Sequence, residues 1–483
     1  MSSNFLFVDF EDAKSQRLAL SKKKHAFLQT KHHQRRRNES LQRLKTSISP
    51  FPTKSTPQPL VKNAKQPCDH DESDNVPPSC ALRTLLSPVA IDPFSSLGSS
   101  MTNEMEPYFY YYKDYFAPSI YPFGAEEMST WWWQTSAGKP ALLQAVLSAS
   151  AYHRSCIGHL SSTPSPLGPQ SAMDSLQLRT RAIRGLQRVL DNLDETFLDL
   201  AILIVANLIC VEAASAQIDA VCAHISGLRR LIYLRGGLDN LGDLTISTIY
   251  CGDFMRGLLL GSSPAFPMSN AWKNRVFEKS KAAKLDPGSL GPSSPGSKFF
   301  ASPWSKELHL GLKSTLRLFQ RLTSYYNSTT LGLSSGAPFD SSLIIMGGHQ
   351  LLSMPFAVSS NNFDEPLRLA LVVYCANRIF DLQPTHCVLF AVEDLQRSLQ
   401  APLAILQETA DDLLFWILFI GCLASQGREC HQWFAIRLGE AAIRLAVTDW
   451  DDALQLLSQF FFTLRPSESQ PRRLWKEVLP QSL

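Results

Sequence analysis

The chain is expected to fold as an all-α protein, and three observations lead there. From about residue 91, apolar residues recur at helical spacing. No convincing run of alternating polar and apolar residues, the mark of a half-buried strand, interrupts them. The stretch "LRGGL" (234–238) places two glycines where a helix needs a left-handed residue to close. At 483 residues and 45% hydrophobic, the chain can bury a large core, with a length suited to about two or three domains.

Residues 1–90 are read as a basic arm and a linker. The linker "SPFPTKSTPQPLVKNAKQPCDHDESDNVPPS" (49–79) is rich in Pro, Ser and charge and has hardly any large apolar side chains. Such a segment cannot bury enough surface to offset its ordering entropy, so disorder is expected. Residues 91–483 are read as a helical body. Within 139–154, Leu142, Leu143, Val146, Leu147 and Ser150 share one helical face. Within 217–235 the stripe is Ile218, Val221, Cys222, Ile225, Leu228 and Ile232. There Arg235 suits the negative end of the helix dipole, Gly236 is the expected left-handed cap, and Gly237 is the less demanding of the pair. Further helices are expected near 103–117, 172–193, 197–215, 311–326, 364–381, 389–407, 409–425, 427–446 and 450–463. "LDPGSLGPSSPGSK" (285–298), with three prolines and three glycines, predicts a flexible surface loop that either divides two lobes or is inserted into one.

The longest apolar runs, "LAILIVANLICV" (200–211) and "LLFWILFIGCLA" (413–424), are twelve residues each. A span needs roughly 18 or more, so both are expected as buried core helices rather than membrane segments. The opening "MSSNFLFVDFED" carries acids where a signal peptide would carry bases. Ten cysteines are scattered without pairing rhythm, mostly among apolar neighbours, which suits reduced thiols in an intracellular compartment.

The search for chemistry yields no catalytic constellation, and no enzyme activity, cofactor or metal is expected. "GLSSG" (332–336) has the nucleophile-elbow spacing around Ser334, but polar loop flanks it where a strand and a helix are required. There is no HExxH and no CxxC; Cys68, His70 and Cys80, with His32 or His33, lack ligand-pair spacing. The paired acids Glu126-Glu127, Asp411-Asp412 and Asp451-Asp452 suit helix N-terminal turns. The aromatic stretches "YFYYYKDYFAPSIYPF" (108–123) and "TWWWQ" (130–134) contain one base, Lys113. Packing onto the body therefore accounts for them better than stacking on single-stranded nucleic acid.

Charge is distributed unevenly. Residues 1–65 hold fourteen Lys and Arg against four acids, a net +10, on a chain of net +3; residues 66–483 are therefore at −7. The candidate contact residues are Lys22, Lys23, Lys24, Lys31, Arg35, Arg36 and Arg37. They suit DNA phosphate, which gives affinity with little sequence choice. Two basic clusters ten residues apart (Lys24 to Arg35) also suit the nuclear import machinery as a bipartite address. No leucine heptad continues past Leu44, which excludes a basic zipper.

Several stretches, in order, are similar to one family. They are "IDPFSSLGSSMTNEMEPYFYYYKDYFAPSIYPF" (91–123), "WWWQTSAGKPALLQAVLSASAYHRSCI" (131–157), "CAHISGLRRLIYLRGGLDNL" (222–241) and "LFWILFIGCLASQGRECHQWF" (414–434). Together, over about 90–465, they resemble the regulatory domain of fungal-specific transcription factors, a helical domain often joined to a zinc binuclear cluster. The arm, with "FLFVDF" before a basic stretch ending in "HHQRRR", resembles members that carry no such cluster. The cluster needs six cysteines, four of them in CxxC pairs, and the first 100 residues contain only Cys68 and Cys80. The resemblance thus implies a nuclear transcriptional regulator of a metabolic or biosynthetic gene set, without base readout through zinc. Its body would sense an effector or bind other transcription factors or a second copy. The alternative is a helical co-regulator that bridges other factors and never touches DNA.

Overall fold

A computed structural model of the chain describes residues 101–160, 167–191, 195–281, 294–330, 341–356, 362–380, 382, 385–463 and 469–478. The arm, the linker and Ser334 lie outside the described residues. Those that are described form helices and no strand.

The body opens with α1 (Glu106–Tyr111), which widens into a π turn (Tyr112–Phe116) and resumes as α2 (Ala117–Ile120). The expected helix over 103–117 is therefore one rod with a one-turn π insertion, which runs on to Ile120. Next come α3 (Ala125–Ser136), α4 (Pro140–Leu160), α5 (Leu167–Asp191) and α6 (Glu195–Ala214). Helices α4 and α5 pack lengthwise, and α6 is covered by α4, by α7 (Ile218–Leu234) and by α8 (Asp243–Leu260). From Ala201 to Ala214 every residue of α6 except Cys210 is buried. Phe197–Ala214 is long and apolar enough to cross a membrane, yet 78% of it is buried inside the protein, as a core helix apolar on all sides would be.

Helix α7 follows the expected stripe with one correction. Ile218, Val221, Ile225, Leu228, Leu231 and Ile232 are buried, whereas Cys222 is exposed. Its end is a Schellman motif: Gly236 N–H donates to Tyr233 O (3.0 Å) and Gly237 N–H to Ile232 O (2.9 Å). Gly236 has φ +84°, as expected of the left-handed cap. Gly237 is the surprise, since φ +104° and ψ +171° lie in a region almost confined to glycine. The expectation that it is the less demanding position is thereby reversed.

After α9 (Asn270–Lys281) and α10 (Lys298–Ala301) come α11 (Leu310–Thr330), α12 (Ser342–Leu352) and α13 (Asp364–Tyr374), the last continuing as a second π turn, Cys375–Ile379. The expected helix over 389–407 is two, α14 (Leu389–Leu399) and α15 (Leu403–Thr409), parted at Pro402, which cannot donate within a helix. The chain ends through α16 (Asp411–Ala424), α17 (His431–Arg444), α18 (Trp450–Gln459) and α19 (Gln470–Val478). Every residue of α16 from Leu413 to Ala424 is buried. Phe299 meets Trp416 of this helix and Phe460 edge to face, Trp416 and Phe460 are stacked, Tyr374 is tilted against Phe461, and Trp416 Nε1 donates to Phe461 O (2.8 Å).

Of the proline- and glycine-rich stretch 285–298, the described end is anchored rather than loose. Gly296 N–H donates to Phe460 O (2.8 Å), and a Cβ on Gly296 would lie 2.1 Å from the Phe461 ring.

Candidate functional site

The sequence-predicted contact residues Lys22, Lys23, Lys24, Lys31, Arg35, Arg36 and Arg37 all lie outside the described residues, so the structure brings none of them together. The site that it does build comes from the aromatic segment. Residues Tyr108, Phe109 and Tyr112 turn into the body and Tyr110 and Tyr115 stay exposed, which is the packing role expected from the sequence. Tyr108 donates to Asp174, and burial together with that bond pushes its hydroxyl up to about 12. Tyr111 Oη and His153 Nδ1 are hydrogen-bonded at 3.0 Å, with the Arg154 guanidinium over both tyrosine rings at 5.8 and 5.7 Å.

Between the π turn, α3, α4, α6 and α8 lies a narrow, partly enclosed cavity of about 50 Å³. Its apolar wall includes Phe116, Ile120, Val146, Val211 and Met255. Polar atoms reach it from a few residues. Trp132 Nε1 donates to Tyr121 Oη (3.3 Å), Asn207 Nδ2 to Leu203 O (2.8 Å) and Thr248 Oγ1 to Leu244 O (2.9 Å). Tyr152 Oη pairs with His386 Nδ1 (2.9 Å). Tyr112 Oη alone among the lining phenols is buried without a hydrogen-bond partner. Burial raises its hydroxyl well above the ordinary tyrosine value, with Tyr121 and Cys251 adding to the effect. Cys210, Cys251, His153 and Thr385 also line it; Cys210 is raised well above an ordinary thiol, first by its bond to Cys251 and then by burial. A thiol held protonated behaves as an apolar surface. No Asp, Glu, Lys or Arg lines this cavity.

Elsewhere the buried charges are structural. Asp253, 1% exposed, accepts from Arg256 Nε (2.7 Å) and from the amides of Ala265 and Phe266 (both 2.9 Å). Arg256 in turn donates to Ser262 Oγ (3.0 Å) and Ser263 O (2.5 Å), so the pair ties the 262–266 turn to α8. His349 Nε2 meets Phe266 O at 3.0 Å, and burial lowers its pKa against the pull of Asp253. Asp411 pairs with Arg444 and Asp412 with Lys298; Asp449, which the sequence reading passed over, caps α18 by accepting from Asp452 N–H (2.8 Å). Among the described residues no three His, Cys, Asp or Glu are grouped so as to hold a metal ion.

Comparison with known proteins gives one match: residues 107–294 fit the family model described as "Fungal specific transcription factor domain". No curated protein and no solved structure matches the chain. The matched segment runs from α1 through α9 and contains the cavity-forming helices and the Gly236-Gly237 turn. The resemblance read from the sequence reached further, to 465, and its "LFWILFIGCLASQGRECHQWF" (414–434) lies beyond the match. This is a family of transcription factors and not of enzymes. Residues 107–294 of this chain match the fungal-specific transcription factor domain family.

Proposed function

We propose that the protein is a nuclear regulator of transcription that works without a zinc-cluster reader. One combination carries this reading: a fungal-specific transcription factor domain at 107–294 in the same chain as an N-terminal stretch of net +10. In this reading Lys22, Lys23, Lys24, Lys31, Arg35, Arg36 and Arg37 serve the import machinery and grip DNA phosphate, and the body carries the regulatory function with other factors or a second copy. Phosphate contacts position a protein without reading bases, so choice of target would come from those partners.

The test changes Lys22, Lys23, Lys24, Arg35, Arg36 and Arg37 together to Gln in the full chain. Nuclear accumulation of the tagged protein should fall. Duplex binding by the parent should be steeply salt-dependent, and the variant should lose about 0.9 units of log–log slope for each phosphate contact removed, whatever the duplex sequence. Mislocalisation with no duplex binding to lose at any salt would favour a bridging co-regulator. A variant that stays nuclear and binds like the parent would overturn the reading.

A further inference from the structure

The cavity between the π turn, α3, α4, α6 and α8 has features that packing alone does not explain. A tyrosine hydroxyl is a strong donor, and burying one without an acceptor forfeits its hydration with nothing in return. Tyr112 is 1% exposed, its hydroxyl has no partner, and its side chain lines the cavity. Its position is set by the π turn Tyr112–Phe116, a local widening that is rare in helices and recurs at functional sites. Tyr121, which also lines the cavity, accepts from Trp132, which leaves its own proton to give.

We propose that this cavity is a binding site for a small, slender, uncharged carbonyl compound (a ketone, aldehyde or ester) whose oxygen accepts from Tyr112 Oη. Three observations define that chemistry. The lining has no charged carboxylate, ammonium or guanidinium to pair with an ionic ligand, and an unpaired ion would be expensive to bury there. The two phenols supply donors, so the ligand must bring an acceptor; Thr248 has spent its donor on a backbone carbonyl, and Asn207 has one of its two N–H groups on another. Apart from His153 and Thr385, whose hydroxyl donates to Leu382 O (2.7 Å), the remaining wall is mostly apolar and suits a short hydrocarbon portion. The 50 Å³ cavity has room for about four waters by the usual measure, and so for a ligand of about that many heavy atoms. This inference concerns the body alone and does not rest on the role of the arm.

The test uses the purified full chain and butan-2-one as probe, with n-pentane as the acceptor-free match and n-butylammonium as the charged one. Ligand-observed NMR should show butan-2-one bound, n-butylammonium excluded and n-pentane weaker. Tyr112→Phe should fold normally, since it removes a buried unpaired hydroxyl, and should weaken butan-2-one about three- to tenfold while leaving n-pentane unchanged. Ala149→Phe, which fills the cavity, should abolish binding of both. Equal butan-2-one affinity in the parent and Tyr112→Phe would overturn the proposal. So would failure of butan-2-one to bind the parent at all, which would leave the cavity a site for water only.

Discussion

Ala216 and Ala446 have φ +57° and +51°, each as the C′ residue of a Schellman turn that ends α6 or α17. Gln217 N–H reaches Glu212 O (2.8 Å) in the first, and Val447 N–H reaches Ala442 O (2.9 Å) in the second. A side chain in the left-handed region is costly, so Ala446→Gly should stabilise the body by about 0.5–1 kcal/mol, net of glycine's larger unfolded-state entropy. The opposite change at the end of α7, Gly237→Ala, should cost about 1–3 kcal/mol and no less than Gly236→Ala. Urea midpoints of the three variants check both statements. His349 gives a pH dependence of known sign. Its folded pKa is lowered, by burial first, from an unfolded value of about 6.5. Its contribution is complete above that value and is lost as pH falls below it, because the unfolded chain then takes up a proton that the folded one resists. His349→Gln should therefore flatten the fall in stability between about pH 6.5 and 5, measured by urea titration at each pH. Some slope should remain from His224, which burial and Arg179 lower in the same direction.

At the scale of elements, the sequence was most legible where one face of a helix is wet. The stripe of α7 is such a case, and both it and α4, whose other face is half-buried, stand where the spacing put them. Helices α8 and α12 were not foreseen because nearly all their residues are buried, so no polar face sets a period. Gly252, Gly257, Gly347 and Gly348 further disguise them by lowering helix propensity. Helix α3 was read only as an aromatic cluster, since three consecutive tryptophans mask its periodicity. The 262–266 turn is a different case: its conformation depends on Asp253 and Arg256, three residues apart on α8, and no local pattern announces that partnership. Asp253→Ala leaves a buried guanidinium without its carboxylate and should destabilise the body by about 3–5 kcal/mol. Hydrogen exchange should quicken first at the amides of Ala265 and Phe266, before the rest of α8.

At the scale of the whole molecule, the helical class and the family were both legible. The first follows from periodicity; the second rests on motifs in order, and "LRGGL" keeps its turn geometry in the structure. The cavity was not legible, because its lining comes from residues as distant as Tyr112, Asn207, Cys251 and Thr385. The one local sign was the dense run of tyrosines at 108–121, which reads equally well as packing.

The free cysteines have a practical consequence. Cys222 is open to solvent, whereas Cys375, Cys387 and Cys422 are fully shielded. They are native reporters placed at graded depths. With an alkylating reagent and site-resolved mass spectrometry, Cys222 should react at the speed of a free peptide thiol. The shielded three should react only as often as their surroundings come apart, so their rates would time the opening of the His386–Val388 turn, α16 and the second π turn without any label being introduced.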